Sequence, residues 1–114
     1  MNKLNELMAV EVMGWYKDRR WWCMGERKSD GRVPDVVMEI KDWNPTTDDT
    51  QARMCAEKWV HDNDNKDDRS LLFIEYSNYS YQIALRRKGN ITISLQGEKL
   101  PLTICEAIKE AMKE

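Results

Sequence analysis

Trp43-Asn44-Pro45-Thr46-Thr47-Asp48-Asp49 places a tryptophan and a proline turn directly before a well-patterned helix. Behind it, Ala52, Cys55, Ala56, Trp59 and Val60 recur at the i, i+3, i+4, i+7, i+8 spacing of one helical face, which predicts a helix from about Asp48 to His61. Thr46 or Thr47 can cap it, and the two aspartates favour its positive N-terminal end. Towards the N-terminus, Asn2 to Met13 reads as another helix, with Leu4, Leu7, Met8, Glu11 and Val12 sharing a side and Gly14 as its stop. Trp21–Met24 and Val36–Ile40 read as short strands around a polar loop, Gly25 to Pro34, that contains the turn Ser29-Asp30-Gly31.

On the other side, Asp62 to Asp68 is too polar to bury and reads as a solvated loop. Leu71-Leu72-Phe73-Ile74 is apolar on both faces, which predicts a central strand covered on both sides. Tyr79, Tyr81, Ile83 and Leu85 alternate with Ser80, Gln82, Ala84 and Arg86. Ile91, Ile93 and Leu95 alternate with Thr92, Ser94 and Gln96, so one face there is wet or partly covered. Ser77-Asn78 and Lys88-Gly89-Asn90 supply the hairpin turns. Pro101 opens a last helix whose apolar stripe is Ile104, Cys105, Ile108, Ala111 and Met112. The expected fold is therefore α+β. It is an antiparallel meander of three to five strands with three helices packed on it, on both faces, as an α/β/α sandwich.

A chain of 114 residues is too short for two independent cores, so residues 1–114 are read as one domain. Five tryptophans, each burying on the order of 150–250 Å², supply much of that core. With 18 basic and 20 acidic residues the net charge is −2, and the basic excess that drives general nucleic-acid binding is missing. No apolar run approaches a membrane span and the N-terminus has no signal-peptide core, so no membrane partner and a cytoplasmic location are expected. Three cysteines, an odd number, suit reduced buried thiols better than disulfides.

Three blocks together resemble the phage ABA sandwich domain family, whose members come from phages and prophages. They are Asn5-Glu6-Leu7-Met8-Ala9 with Val12-Met13-Gly14-Trp15, then Trp43–Asp49 followed by Gln51-Ala52, and Pro101-Leu102-Thr103-Ile104-Cys105-Glu106-Ala107. They occur in the family's order and at compatible distances, across nearly the whole chain. The family tends to have Thr or Ser before the proline of the third block, where this chain has Leu100. The resemblance implies helices on both faces of a sheet and a phage accessory protein in a bacterial host. It carries no established activity and no catalytic residues.

The chemistry-bearing residues give little support to an enzyme. Cys23, Cys55, Cys105 and His61 lack the close ligand spacing of a structural zinc site, and two of the cysteines lie on apolar helical stripes. His61, at a helix end, suits the negative end of the dipole. Asp62–Asp68 fails as a calcium loop, because Asp67 replaces the needed glycine and Phe73 the bidentate glutamate. Asp48 and Asp49 are explained by capping. No catalytic residue, metal or cofactor is expected.

More open is Trp15 to Trp22, where aromatic rings interleave with Lys17, Arg19 and Arg20 in a pattern that can stack on a base and hold a phosphate. Arg86-Arg87-Lys88 offers a second basic edge. Trp21, Trp22, Arg86 and Arg87 are thus the candidate ligand-binding residues. The expected function is a small accessory binding protein without catalysis, acting on a host protein through exposed tryptophans. The alternative is a binder or sponge for a small nucleotide signal of host defence. A homo-oligomer is also expected, because a half-polar strand such as Ile91–Gln96 at a sheet edge can pair with its copy.

Overall fold

Asn2 begins the first helix, α1 (Lys3–Leu7), with its Oδ1 accepting the N–H groups of Leu4 (2.7 Å) and Asn5 (3.3 Å). In the computed structural model, which describes residues 2–26, 33–63, 71–87 and 90–113, this helix then widens into a π-helical turn over Met8–Val12. Met13 donates to the Met8 carbonyl at 3.0 Å and Trp15 to that of Ala9 at 2.9 Å, with Gly14 at φ +74° closing the segment. The segment expected as one helix stays helical but changes pitch. Met8, Ala9 and Val12 are all buried by that turn.

Strands β1 (Tyr16–Asp18), β2 (Trp21–Met24) and β3 (Asp35–Glu39) form an antiparallel sheet in that order. A turn at Arg19-Arg20 links β1 to β2, with Arg19 at φ +57°. A short 3-10 turn, Ile40–Asp42, follows β3 and delivers Trp43 to the core. Helix α2 (Asp49–Asn63) then starts as expected, but its cap is Asp48, whose Oδ1 accepts the Gln51 N–H at 2.9 Å. Neither threonine does this. Thr46 is buried with its backbone N–H donating to Asn5 Oδ1 at 3.1 Å, and Thr47 Oγ1 donates to the Asn44 carbonyl at 3.3 Å.

The second sheet is the expected meander: β4 (Leu71–Ser77), β5 (Ser80–Arg87) and β6 (Asn90–Gly97), antiparallel and in that order. Helix α3 (Leu100–Met112) packs on β5 and β6 and beside α2, which touches β4. The α+β fold and the packing of three helices on antiparallel sheet are as the sequence predicts, but the described residues hold six strands in two three-stranded sheets in place of the expected single sheet of three to five. One expectation is corrected. β4 is an edge strand and β5 the central one, and Gln82, Ser94 and Gln96 on the face away from α3 are exposed. The second cover anticipated for Leu71–Ile74 is therefore not found among the described residues.

The core lies between α3 and the face of the second sheet that carries Ile83 and Leu85. It continues through Cys55, Ala56 and Trp59 of α2 into Met8, Trp15, Trp22 and Trp43. Trp15 meets Trp43 edge-on, with ring centroids 4.7 Å apart. Of the expected polar loop Asp62–Asp68, Asp62 and Asn63 extend α2, and 64–68 lie outside the described residues, as do 27–32 and the turn residues 88 and 89.

The β4–β5 turn is built from Asn78 at φ +51° and Tyr79 at φ +62° between the pair Ser77 and Ser80. Both central residues take positive φ, as two-residue hairpins require, and asparagine suits the first position. Tyrosine does not suit the second, where the left-handed region costs about 1–2 kcal/mol against glycine's near-zero. Tyr79→Gly is therefore expected to stabilise the protein by about 0.5–1 kcal/mol after the extra chain entropy of glycine is subtracted. A raised denaturation midpoint at unchanged denaturant slope is the measurement that checks this.

Candidate functional site

The residues expected to bind a ligand lie on two sheets, Trp21 and Trp22 on β2 and Arg86 and Arg87 at the end of β5. Trp22 is fully buried, with its Nε1 unpartnered, so its ring is part of the core and presents no face to a base. Alternation in β2 sends Trp21 the other way, to a half-buried position where Arg20 lies over its ring, 5.1 Å from the centroid. Lys17 is also engaged, with Glu6 at 2.9 Å and over the Trp22 ring at 5.5 Å. Arg86 and Arg87 end β5, in the other sheet, and their side chains lie outside what the structure describes.

Four of the five tryptophans (Trp15, Trp22, Trp43 and Trp59) are buried, so the exposed aromatic surface is not the tryptophan one expected. Their indoles anchor the core and Asn5: Trp43 Nε1 donates to the Asn5 carbonyl at 2.8 Å. The exposed rings are tyrosines. Tyr79 at the tip of the β4–β5 hairpin is 88% exposed, Tyr76 58% and Ile74 36%. Sequence reasoning placed Tyr79 in a strand. The signal that could have found it was the two-residue spacing of the Ser77-Asn78-Tyr79-Ser80 turn.

Tyr76 stacks obliquely on Tyr81 across the hairpin, with centroids 4.7 Å apart. Tyr81 in turn lines a cleft of about 440 Å³ together with Thr46, Thr47, Asp49, Leu100 and Pro101. The N-terminal ends of α2 and α3 meet the turn end of the hairpin here, so the second and third sequence blocks converge on one surface feature. A rigid aromatic ridge beside a small polar cleft can seat a side chain or chain segment of a partner. Rings that lose little entropy on binding are what interface anchors use.

Among the described residues no three His, Cys, Asp or Glu side chains form a group able to hold a metal ion. Cys23, Cys55 and Cys105 are buried and stand in no disulfide. Burial pushes the Cys55 thiol far up, helped by the neighbouring Cys105. Burial, with the Glu106 carboxylate beside it, pushes Cys105 up to about 12. Neither thiol is a nucleophile at neutral pH.

The same shifts make stability depend on alkaline pH. Unfolded thiols ionise near 9.0, before the folded ones, so the unfolded state releases protons first as pH rises. Stability from these groups is whole below about pH 9 and falls between 9 and about 12, by up to about 1.4 kcal/mol per pH unit and thiol. Denaturant midpoints are expected to be flat from neutrality to about pH 8.5 and to fall above it. Cys105→Ala should roughly halve that alkaline slope. An unchanged slope in the variant assigns the alkaline loss to other groups.

Comparison of the chain with protein-family models, with curated proteins and with solved structures finds no match. No helix of the described residues is long and apolar enough to cross a membrane.

Proposed function

We propose that this chain is a small accessory binding protein that acts without catalysis, by docking onto another protein through the β4–β5 hairpin and the cleft beside its turn end. The observation that carries the reading is Tyr79, held at a positive φ that ordinarily favours glycine, with its ring 88% exposed. A costly residue kept on the surface is explained by what it contacts in a complex. Tyr76 and Ile74 extend the same apolar surface and Tyr81 leads it into the cleft. The three sequence blocks support a phage or prophage origin, with a protein of the bacterial host as partner and the host cytoplasm as the place of action.

The Tyr79→Gly variant separates this role from folding. Immobilised wild-type chain should retain a host protein that Tyr79→Gly loses at least tenfold, although the variant is the more stable of the two. Equal retention of the same proteins by both would remove the hairpin tip from the function. A nucleotide reading draws on Trp21 and Trp22 with Arg86 and Arg87. It receives no support from a buried Trp22 or from placement on separate sheets.

A further inference from the structure

The two edges of the second sheet differ in chemistry and regularity. On β6, the exposed side chains Ser94 and Gln96 bond within their own sheet, to Gln82 at 3.1 Å and Ser80 at 2.6 Å. A register shift at Leu85/Arg86 interrupts the β5–β6 pairing, the kind of irregularity that blunts an edge. On β4 the pairing with β5 runs unbroken through seven residues, from Leu71 with Arg86 to Ser77 with Ser80. No further strand flanks β4 among the described residues, and Ile74, Glu75, Tyr76 and Ser77 are all exposed.

The turn sets which backbone groups of β4 are spare. In a two-residue hairpin the pair flanking the turn, here Ser77 and Ser80, exchanges hydrogen bonds, so Ser77, Glu75 and Phe73 point their N–H and C=O groups at β5. Those of Leu72, Ile74 and Tyr76 consequently point away from the sheet. A second copy of this chain matches them by a two-fold axis at Ile74. Ile74 then faces its own copy, and Leu72 faces Tyr76 of the other chain in both directions, giving three hydrogen-bonded pairs. Glu75, the one charged residue of β4, falls opposite Phe73 in this register. An axis at Glu75 would instead oppose two carboxylates, and one at Phe73 would leave only two such pairs.

We propose that β4 is a homodimerisation edge, pairing antiparallel with β4 of a second copy about Ile74 to make one six-stranded sheet. The inference goes beyond the docking function and stands without it. Antiparallel pairing sends the two hairpin tips to opposite ends of the joined strands. The Cα atoms of Tyr79 would lie about 33 Å apart, at roughly 3.3 Å per residue over five residues on each side. A dimer would therefore present two docking tips, facing away from each other.

Sedimentation equilibrium across protein concentration, combined with amide hydrogen exchange, tests this. Wild type is expected to reach twice the chain mass, with the Ile74 and Tyr76 amides becoming more protected as concentration rises. Ile74→Lys, which sets two ammonium groups face to face on the axis, should weaken dimerisation at least a hundredfold while circular dichroism stays unchanged. Should that variant unfold, a Tyr79→Cys chain carrying a spin label gives a second reading, with an inter-label distance peak in the region of 33 Å expected. A wild-type chain that stays monomeric at about 100 μM overturns the proposal, as do concentration-independent exchange at Ile74 and Tyr76 or a dimer whose tips lie close together. Loss of host-protein capture on Tyr79→Gly with the dimer intact would leave this inference standing and concern only the docking reading.

Discussion

Replacing Trp43 with alanine is expected to lower the unfolding free energy by about 3–5 kcal/mol, a large part of the 5–15 kcal/mol typical of a whole domain. Trp43 is buried, packs edge-on against Trp15, and fills the centre of the block that joins the 3-10 turn to α2. Its Nε1 also satisfies the Asn5 carbonyl at 2.8 Å, and Asn5 is itself buried where it accepts the Thr46 N–H. Truncation leaves a cavity and removes one of the two donors to that carbonyl, the Met8 N–H remaining. Two controls divide these terms. Trp43→Phe keeps much of the ring but takes the indole hydrogen bond from the carbonyl, whereas Trp22→Phe removes an indole N–H that has no partner to lose. Trp43→Phe should therefore cost more than Trp22→Phe, by about 1 kcal/mol. Urea denaturation of all three variants supplies the comparison, and equal costs would show the Trp43–Asn5 bond to be energetically neutral.

Gly97→Ala is expected to cost about 2–3 kcal/mol, at a position with no unusual backbone angle to explain it. A methyl group at Gly97 would come within 2.1 Å of Thr103 Oγ1 and 3.3 Å of its Cβ. That hydroxyl cannot swing aside freely. Thr103 is buried and its Oγ1 donates to the Lys99 carbonyl at 2.7 Å, the side-chain bond in the first turn of a helix that has no side-chain cap. The added carbon must either break this bond or push α3 off the end of β6. Thr103→Ala removes the nearest obstacle, so Gly97→Ala in that background should cost at least 1 kcal/mol less than in wild type. Additive costs in this double-mutant cycle would mean that the strain is relieved elsewhere.

Legibility in the sequence followed the range of the interactions involved. Helix α2 was readable from Ala52, Cys55, Ala56, Trp59 and Val60, because periodicity depends on neighbours three and four residues away. Its cap was readable only as a choice, since Thr46, Thr47 and Asp48 all offer a side-chain acceptor locally and the structure uses Asp48, while Thr46 lies buried against Asn5, 41 positions earlier. The strand Trp21–Met24 was readable as a strand. Alternation requires its two tryptophans to face opposite ways, and nothing local says which of them faces the core. Choosing both as ligand residues ignored that constraint. The hairpin turn at Ser77-Asn78 was recognisable by composition, whereas a tyrosine in its second central position is contrary to turn preference and was assigned to the strand.

The sequence by itself determined that the chain alternates helices with antiparallel strands, where most of those elements begin and end, and that its cysteines are buried thiols. Each of these depends on propensity, period and turn chemistry within a few residues. Only the tertiary structure decided that β4 is an edge and β5 the centre, that four of the five indoles are buried while tyrosines form the exposed aromatic surface, and that Asn5 binds Trp43 and Thr46. These outcomes depend on pairing and packing between residues as many as 38 and 41 positions apart. A local pattern can show that a residue has an apolar face, but which neighbour covers it is settled when the whole chain closes on itself.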